Sequence, residues 1–220
     1  MAGIVGICGS GLGDVKESLQ KAVEATVYSG KVVFDPHFSN NNFHLAKSYF
    51  NFTANQRMHA SEDEVYVWID GEIYNQHEIT ESPNAVFADT LLQWYMNDQI
   101  VSKLLLVDGV FVAILYDSKK NILQIITDRY GLKPFFLYHK NNKLIFAAEL
   151  KCFLSFMDFS LQIRKDVVDC FVELGHMMGN ETWFEDVEFL EPASIYSYFI
   201  QSDTLSKKRY WTWADEFFFA

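Results

Sequence analysis

The sequence predicts an α+β fold in which two mainly antiparallel sheets are stacked and covered by helices. Two hairpins carry this prediction. Val110–Tyr116 and Ile122–Thr127 are almost entirely apolar and flank a polar turn, and Phe135–Tyr138 and Leu144–Ala147 do the same around a second turn. Strands that are apolar on both faces are covered on both faces, whereas antiparallel sheets usually keep one face in water. We therefore expect the sheets to lie between helical layers.

The helices of those layers follow from apolar spacing. Apolar residues recur on one face of residues 15–28, so a helix with Asp14 as its N-cap is predicted there. That face consists of Val15, Leu19, Ala22, Val23 and Thr26. A second helix is predicted over Thr90–Tyr95, with Asp89 before it and a continuation towards Leu106, and a third near residues 165–175. The remaining strands are predicted at Ile4–Cys8, Lys31–Phe34, Phe43–Phe50, Glu64–Ile69 and Ser194–Ile200.

Composition excludes several classes of partner. The net charge of the 220-residue chain is −11 and no long basic run occurs, which argues against nucleic acid or anionic membrane surfaces. No apolar run approaches the roughly 20 residues that a bilayer-spanning helix needs. The three cysteines are widely spaced without a CxxC pair, and the start does not resemble a signal peptide. We therefore expect a reduced, cytoplasmic protein.

Two familiar kinds of site are disfavoured. Gly9-Ser10-Gly11-Leu12-Gly13 with Asp35 imitates a dinucleotide fingerprint, but its third glycine comes one residue early and hairpins replace the βαβ units. A flexible strand-to-helix turn is the simpler interpretation. The six histidines are scattered and none is paired at ligand spacing, so no metal and no cofactor are expected in this chain.

The opening of the chain suggests a third kind of site. In one type of nucleophilic catalysis the N-terminal residue attacks with its side chain, and its own α-amine, with a pKa of about 7.7–8.0, acts as the base. Such an enzyme needs a strand directly behind the initiator methionine and a small residue after it. This chain has both features, but Ala2 has neither a thiol nor a hydroxyl.

Several motifs in order resemble the class II glutamine amidotransferase domains of the asparagine synthetase (glutamine-hydrolysing) family. They are Met1–Ile7, Asp70–Asn75, Ala88–Thr90, Asp108–Phe111, Asp128–Pro134, Phe146–Lys151 and Arg209–Trp211. The resemblance covers essentially the whole chain and implies the four-layer αββα sandwich of N-terminal-nucleophile hydrolases. It also implies an amidotransferase type-2-like domain over residues 1–205 and a linker or tail over residues 206–220.

The resemblance also implies where the active site would lie. Ala2 stands at the position of the family's nucleophilic cysteine, so no thioester can form there. Asp70 replaces the asparagine whose side chain joins the backbone N–H of Gly71 in the oxyanion hole, and Glu72 follows in the same segment. A carboxylate repels a developing oxyanion, and losing one donor typically costs about 10²–10³ in rate.

The substrate-holding positions implied by the family are only partly retained. No arginine stands in the strand that clamps the glutamine carboxylate, and Lys47 is a poor substitute for a bidentate guanidinium. The family's HRGPD loop is not recognisable around residues 28–36. Asp89 matches the residue that holds the substrate's α-amine, although a plain helix N-cap explains it equally well. Arg129 is expected to fix a loop and not to act in catalysis.

The sequence therefore predicts a glutaminase-like N-terminal domain that cannot hydrolyse glutamine and serves as a scaffold for a synthetase domain, in the same protein or in a partner chain. ATP and magnesium are expected only in that absent domain. Two alternatives stay open. One is a working amidotransferase whose cysteine was engineered to Ala2, and the other is a stand-alone regulatory module that binds glutamine or a similar amino acid. A homodimer is a further open alternative.

Overall fold

The computed structural model describes residues 3–27, 32–34, 38–50, 59–80 and 86–214, and in residues 32–34 and 49–50 it describes the backbone alone. These residues form two compact units. The first comprises Met1–Asn55 and Pro134–Leu190, and the second Gln56–Lys133 and Glu191–Ala220. The chain therefore passes from the first unit to the second and back before it ends in the second.

The elements are numbered in chain order. The strands are β1 Ile4–Gly9, β2 Val32–Phe34, β3 Phe38–Ser39, β4 Phe43–Phe50, β5 His59–Glu62, β6 Val65–Ile73, β7 Gly109–Asp117, β8 Ile122–Thr127, β9 Phe136–Lys140, β10 Lys143–Ala147, β11 Val187–Phe189, β12 Ser194–Phe199 and β13 Thr204–Arg209. The helices are α1 Lys16–Ala25, α2 Gln76–Ile79, α3 Phe87–Met96, α4 Ile100–Leu104 and α5 Lys165–Leu174, with a 3₁₀ helix at Leu150–Ser155.

The first unit is a sheet in the order β11-β9-β10-β1-β4-β2, with β3 also paired to β4. Every pairing in it is antiparallel. Val5 and Ile7 of β1 pack with Leu19 and Val23 of α1 and with Phe153 of the 3₁₀ helix in one buried cluster. The strand directly behind the N-terminus thus lies in the middle of the sheet, under a helical layer.

The second unit is a sheet in the order β13-β12-β8-β7-β6-β5, again antiparallel throughout. Leu91 and Phe87 of α3 pack in one buried cluster with Val67 of β6 and Phe111 of β7. The rings of Phe87 and Phe111 are 5.5 Å apart in an edge-to-face arrangement. All of β7 from Phe111 to Asp117 is buried, so both of its faces are covered.

These observations confirm the predicted α+β class and both hairpins. Ile122–Thr127 pairs with β7, and Lys143–Ala147 pairs with β9. Asn121, Asn141 and Asn142 in the two turns have positive φ angles of 53°, 54° and 57°, a conformation that asparagine tolerates. The predicted apolar face of the first helix is also confirmed, since its members lie buried on α1 or beside it.

Three details of the helix predictions are wrong. Asp89 is not an N-cap: α3 begins at Phe87 after Val86, and Asp89 lies within its first turn. That helix does not continue to Leu106, because Asp98 adopts a left-handed φ of 55° after Met96 and a separate helix α4 follows. The first helix begins at Lys16 after Val15, although Asp14 still accepts a hydrogen bond from the Lys16 N–H at 3.1 Å.

The described residues contain neither a candidate membrane-spanning helix nor a candidate metal site. None of their helices has the length and apolar character to cross a membrane. Nor do three or more His, Cys, Asp or Glu side chains converge there in a way that could hold a metal ion.

The helix–sheet core of the second unit can be tested at Leu91, which is fully buried. We expect Leu91→Ala to lower the free energy of unfolding by about 2–5 kcal/mol, because it removes buried apolar surface and leaves a cavity. Leu174→Ala is the matched control, since Leu174 is also helical but 52% exposed, and should cost less than about 1 kcal/mol. Equal losses in urea titrations would contradict this packing.

Candidate functional site

The predicted oxyanion segment lies at the carboxyl end of β6. Asp70 and Gly71 pair with Val112 and Phe111 of β7, and Glu72 is exposed beside them. Gly71 has a φ of +134°, and a Cβ atom at this position would lie 2.0 Å from the carbonyl oxygen of Val110. Only glycine can occupy such a site, so the close approach of the two strands is enough to explain its presence.

Asp70 is buried and forms an ion pair that the sequence did not predict. Its Oδ2 lies 3.0 Å from the Nζ of Lys133, and the two side chains are 9% and 18% exposed. Among the described residues Oδ2 has no further hydrogen-bond partner, and its contact with Lys133 lacks hydrogen-bond alignment. The position therefore carries a charge-compensated carboxylate, which accepts hydrogen bonds but cannot donate them.

Lys133 is positioned by the loop that follows β8. Asp128 is fully buried at the start of this loop, and its carboxylate accepts hydrogen bonds from the N–H groups of Tyr130, Leu132 and Lys133 at 3.0–3.1 Å. Gly131 takes a left-handed φ of 63° within the turn, and its N–H donates to the carbonyl of Asp128. The loop is therefore wrapped around one carboxylate, and Lys133 leaves it with a fixed backbone.

The motif Asp128–Pro134 does not reveal the role of Lys133 from the sequence. The residue lies 63 positions after Asp70, and no local pattern relates the two. The only signal is the presence of a lysine in a motif with no assigned charge partner. The loop-fixing role predicted for Arg129 in the same motif agrees with its contacts: its guanidinium donates to the carbonyls of Leu105 and Val107, in the loop before β7.

Asp89 is half-buried in the first turn of α3. A carboxylate there is favoured by the partial positive charge of the helix N-terminus. The preceding Phe87 packs on Phe111, which is the strand partner of Gly71. Asp89 and the Asp70–Gly71 segment therefore lie in the same unit, in which helix α3 packs on strands β6 and β7.

The N-terminal strand is anchored from its first described residue. Gly3 is buried, its N–H donates to Ser48 Oγ at 3.1 Å, and its carbonyl accepts from the Ser48 N–H at 2.9 Å. Ser48 Oγ also lies 2.7 Å from Oγ1 of Thr26, the residue that follows the last turn of α1. Ala2 lies outside the described residues, as does the segment around residues 28–31 and 35–37 where the family's HRGPD loop would fall.

Lys47 precedes Ser48 on β4, opposite Ile4 of β1, and is only 2% exposed. It belongs to the first unit, whereas Asp70, Gly71, Glu72 and Asp89 belong to the second. A buried ammonium must be matched by polar groups. Its single ammonium has no fork with which to clamp a carboxylate in two places, as an arginine would.

None of the three thiols offers an obvious replacement nucleophile. Cys8 is fully buried in the centre of the first sheet, and this burial raises the pKa of its thiol far above the ordinary range. Burial likewise raises the pKa of Cys152 to about 12. Since the thiolate is the reactive form, both thiols are unreactive at neutral pH. Cys170 is partly exposed on α5 and belongs to no predicted site.

Comparison with known proteins gives this arrangement a family. The sequence profile described as "Glutamine amidotransferase domain" matches residues 1–211. The chain belongs to this family. The match extends past β13, whose residues Thr204–Arg209 pair with β12, and includes the buried Tyr210 and Trp211.

Several curated relatives of this amidotransferase domain are named as asparagine synthetases, and two others as amidases. A Methanocaldococcus jannaschii protein, provisionally named asparagine synthetase [glutamine-hydrolyzing] 2, is 25% identical over 98% of this chain and 47% of its own length. Asparagine synthetase [glutamine-hydrolyzing] 3 of Bacillus subtilis is 25% identical over 64% of this chain and 24% of its own length. The chain therefore spans less than half of the length of these two relatives.

Two solved structures share the fold of the amidotransferase domain. The glutamine phosphoribosylpyrophosphate amidotransferase of Bacillus subtilis superposes over 96% of this chain and 43% of its own with a TM-score of 0.52 at 12% identity. An allosteric regulatory enzyme of purine biosynthesis covers 96% of this chain and 49% of its own with a TM-score of 0.55 at 11% identity. These likenesses show that the chain shares the fold of these two enzymes, in agreement with the predicted α+β class.

The close approach at Gly71 predicts a large penalty for any side chain. We expect Gly71→Ala to destabilise the domain by more than about 3 kcal/mol, because the backbone is strained for an L-residue and the new Cβ meets the Val110 carbonyl. Gly13→Ala is the control, since a Cβ at Gly13 meets nothing within 4 Å. Thermal and urea unfolding should separate the variants, and a neutral Gly71→Ala would refute this geometry.

The Asp70–Lys133 pair predicts an asymmetric double-mutant cycle. Lys133→Met should cost about 3–5 kcal/mol of folding free energy because it leaves a buried carboxylate without its counterion. Adding Asp70→Asn should recover much of that loss, since the charge is then removed from both sides. Lys143→Met is the control, because Lys143 pairs at 2.8 Å with a more exposed Asp158 and such pairs contribute at most about 1 kcal/mol. Additive losses in the cycle would contradict the coupling.

Proposed function

We propose that this amidotransferase domain does not hydrolyse glutamine and serves as the scaffold domain of an asparagine-synthetase-type, ATP-dependent amide ligase. The observation that carries the proposal is the Asp70 carboxylate beside Gly71, where the family resemblance requires an asparagine. Asp70 is buried and held by Lys133, so it has a defined place at the end of β6.

Lys133 changes the electrostatics at this position. From the sequence alone, Asp70 would repel the negative charge that develops on the substrate oxygen. The Lys133 ammonium at 3.0 Å offsets much of that repulsion. It does not restore the missing donor, because a carboxylate has no N–H to direct at the oxyanion, and this loss alone corresponds to about 10²–10³ in rate.

The second support comes from the nucleophile. The residue after the initiator methionine is Ala2, and Cys8 further along β1 is buried with a raised thiol pKa. Neither can attack a carboxamide. Together with the lost donor and the absence of an arginine next to Lys47 on β4, three parts of the catalytic apparatus are altered in the same chain.

The proposed partner follows from the relatives. Proteins named asparagine synthetase match this chain over at most 47% of their length, in the two comparisons described above. We infer that a synthetase part, in the same protein or in a separate chain, would carry ATP and magnesium and use an amine that does not come from this domain. Of the predicted linker or tail over residues 206–220, only the part after Trp211 would lead towards it, because residues 206–209 belong to β13 and Tyr210 and Trp211 are buried. The structure describes this part only as far as residue 214.

The experiment is glutamine hydrolysis by the Ala2→Cys variant, once mass spectrometry shows that Met1 is removed. We expect no ammonia release above background, because restoring the thiol leaves the donor at Asp70 missing. The Ala2→Cys/Asp70→Asn double variant should exceed Ala2→Cys by about 10² or more if the donor is the limiting loss. The Asp70→Asn variant, which keeps Ala2 and so has no thiol or hydroxyl at this position, controls for unspecific hydrolysis.

Release at an ordinary enzymatic rate by Ala2→Cys alone would overturn the proposal. It would favour instead a working amidotransferase from which only the cysteine had been removed. Alkylation of the new N-terminal thiol, compared with the buried Cys8, shows in the same samples that the variant is folded and its thiol accessible.

A further inference from the structure

A cavity of about 300 Å³ lies in the second unit, in a region that none of the catalytic positions uses. Its principal lining residues are Arg129, Tyr130, Pro192, Arg209, Trp211 and Trp213. We propose that this cavity binds a planar aromatic anion, the chemical class to which nucleoside monophosphates belong. Such binding does not depend on glutamine chemistry, so it stands or falls separately from the proposed function.

Three aromatic rings form the apolar part of the cavity. Tyr130 and Trp213 are stacked with ring centroids 5.6 Å apart and planes at 29°. Trp211 meets both edge-on, at 5.6 Å from Tyr130 and 4.9 Å from Trp213. Tyr130 is 44% exposed and Trp213 is 58% exposed, so their rings still offer aromatic surface to a flat ligand. Stacking on such surface suits a nucleobase or a similar ring system.

Arg129 supplies positive charge to this cavity. Its guanidinium carbon lies 5.7 Å from the ring centroid of Trp211. Within the described part of the chain it donates to the carbonyls of Leu105 and Val107, which are neutral, and forms no ion pair with a carboxylate. Its charge is therefore not compensated by these contacts.

Arg209 also lines the cavity and adds to its positive charge. It pairs with Glu191, which also pairs with Lys207 at 2.5 Å, so two cations share one carboxylate. These three groups carry a net charge of about +1. Arg129 adds one positive charge, and the buried carboxylate of the neighbouring Asp128, which accepts from three backbone amides, adds one negative charge. A positive aromatic cavity is unexpected in a chain whose net charge is −11, and it selects against cations and in favour of anions.

The walls are held in place by buried contacts, so little order has to be created on binding. The Ala193 N–H donates to the Asp128 carbonyl at 2.8 Å, and the buried Tyr210 hydroxyl donates to the Thr127 carbonyl at 2.8 Å. The α-carbon of Gly131 is packed so closely that a Cβ there would lie 3.1 Å from Pro192. Preorganised walls favour affinity because the ordering cost is already met in the folded chain.

The experiment is a tryptophan-fluorescence titration of the full chain with adenosine 5′-monophosphate, adenosine and inorganic phosphate. The monophosphate should bind at least about ten-fold more tightly than either adenosine or phosphate, because the ring contacts the aromatic side chains and the anion contacts the arginines. Its affinity should also fall as the salt concentration rises.

Matched variants locate the site. Trp213→Ala should weaken monophosphate binding about ten-fold or more, and Arg209→Gln should weaken it and reduce its salt dependence. Lys208→Gln changes a neighbouring exposed cation of β13 outside the cavity, and Trp183→Phe changes a tryptophan that packs on Phe171 in the first unit. Both controls should leave the affinity within about two-fold of the parent chain.

Three results would overturn the proposal. They are no monophosphate binding at millimolar concentration, equal affinity for adenosine and its monophosphate, and unchanged binding by Trp213→Ala. Because Trp213 and Arg209 are 58% and 47% exposed, their variants should keep the parent's unfolding midpoint. If either variant unfolds early, heteronuclear NMR shifts of the parent chain decide, and shifts confined outside residues 129–131, 192–193 and 209–213 would equally refute the site.

Discussion

The buried carboxylate of Asp128 holds the part of the structure on which both sites depend. A fully buried charge is tolerated only when its hydrogen bonds are made inside the protein, and Asp128 makes them with three amides of its own loop. Its backbone takes part as well, since the carbonyl accepts from Gly131 and from Ala193. The backbone of the loop after β8 is therefore held in one conformation by hydrogen bonds to Asp128.

The side chains of this loop after β8 contact two different parts of the second unit. Lys133 forms an ion pair with Asp70 at the end of β6, the position to which the family resemblance assigns an amide donor. Arg129 and Tyr130 line the aromatic cavity. Arg129 contributes a positive charge over the ring of Trp211, and Tyr130 contributes an aromatic ring. The seven-residue motif Asp128–Pro134 therefore contacts both the Asp70–Gly71 segment and the aromatic cavity. A substitution at Asp128 would disturb both contacts.

The retained residues of the family site divide by the physical reason for their presence. Gly71 is fixed by the approach of β7, since any side chain would meet the Val110 carbonyl. Asp89 suits the first turn of α3, and Gly3 is tied by Ser48 and Thr26 to the sheet and to α1. The two positions to which the family resemblance assigns a nucleophile and an amide donor hold Ala2 and Asp70 in this chain. This division agrees with the scaffold role proposed above.

The sequence by itself determined the secondary structure closely. Apolar runs on both sides of polar turns predicted the two hairpins, because a strand buried on both faces consists of consecutive apolar residues that are visible in the sequence. The family motifs predicted Asp70, Gly71 and Asp89 as site positions, and that prediction rests on the resemblance alone. Helix ends were predicted less well: the left-handed Asp98 that separates α3 from α4 and the start of α3 before Asp89 leave only weak local signals.

Only the tertiary structure decided what those residues meet. Asp70 and Lys133 lie far apart in the sequence, and their contact depends on how β6 and the loop after β8 are arranged in one unit. The aromatic cavity likewise combines the loop at Arg129 with the chain after β13, two segments about 80 residues apart. The physical reason is the same in both cases. Periodicity records which face of an element is buried, whereas the pairing of charges and rings depends on distances that only the folded chain fixes.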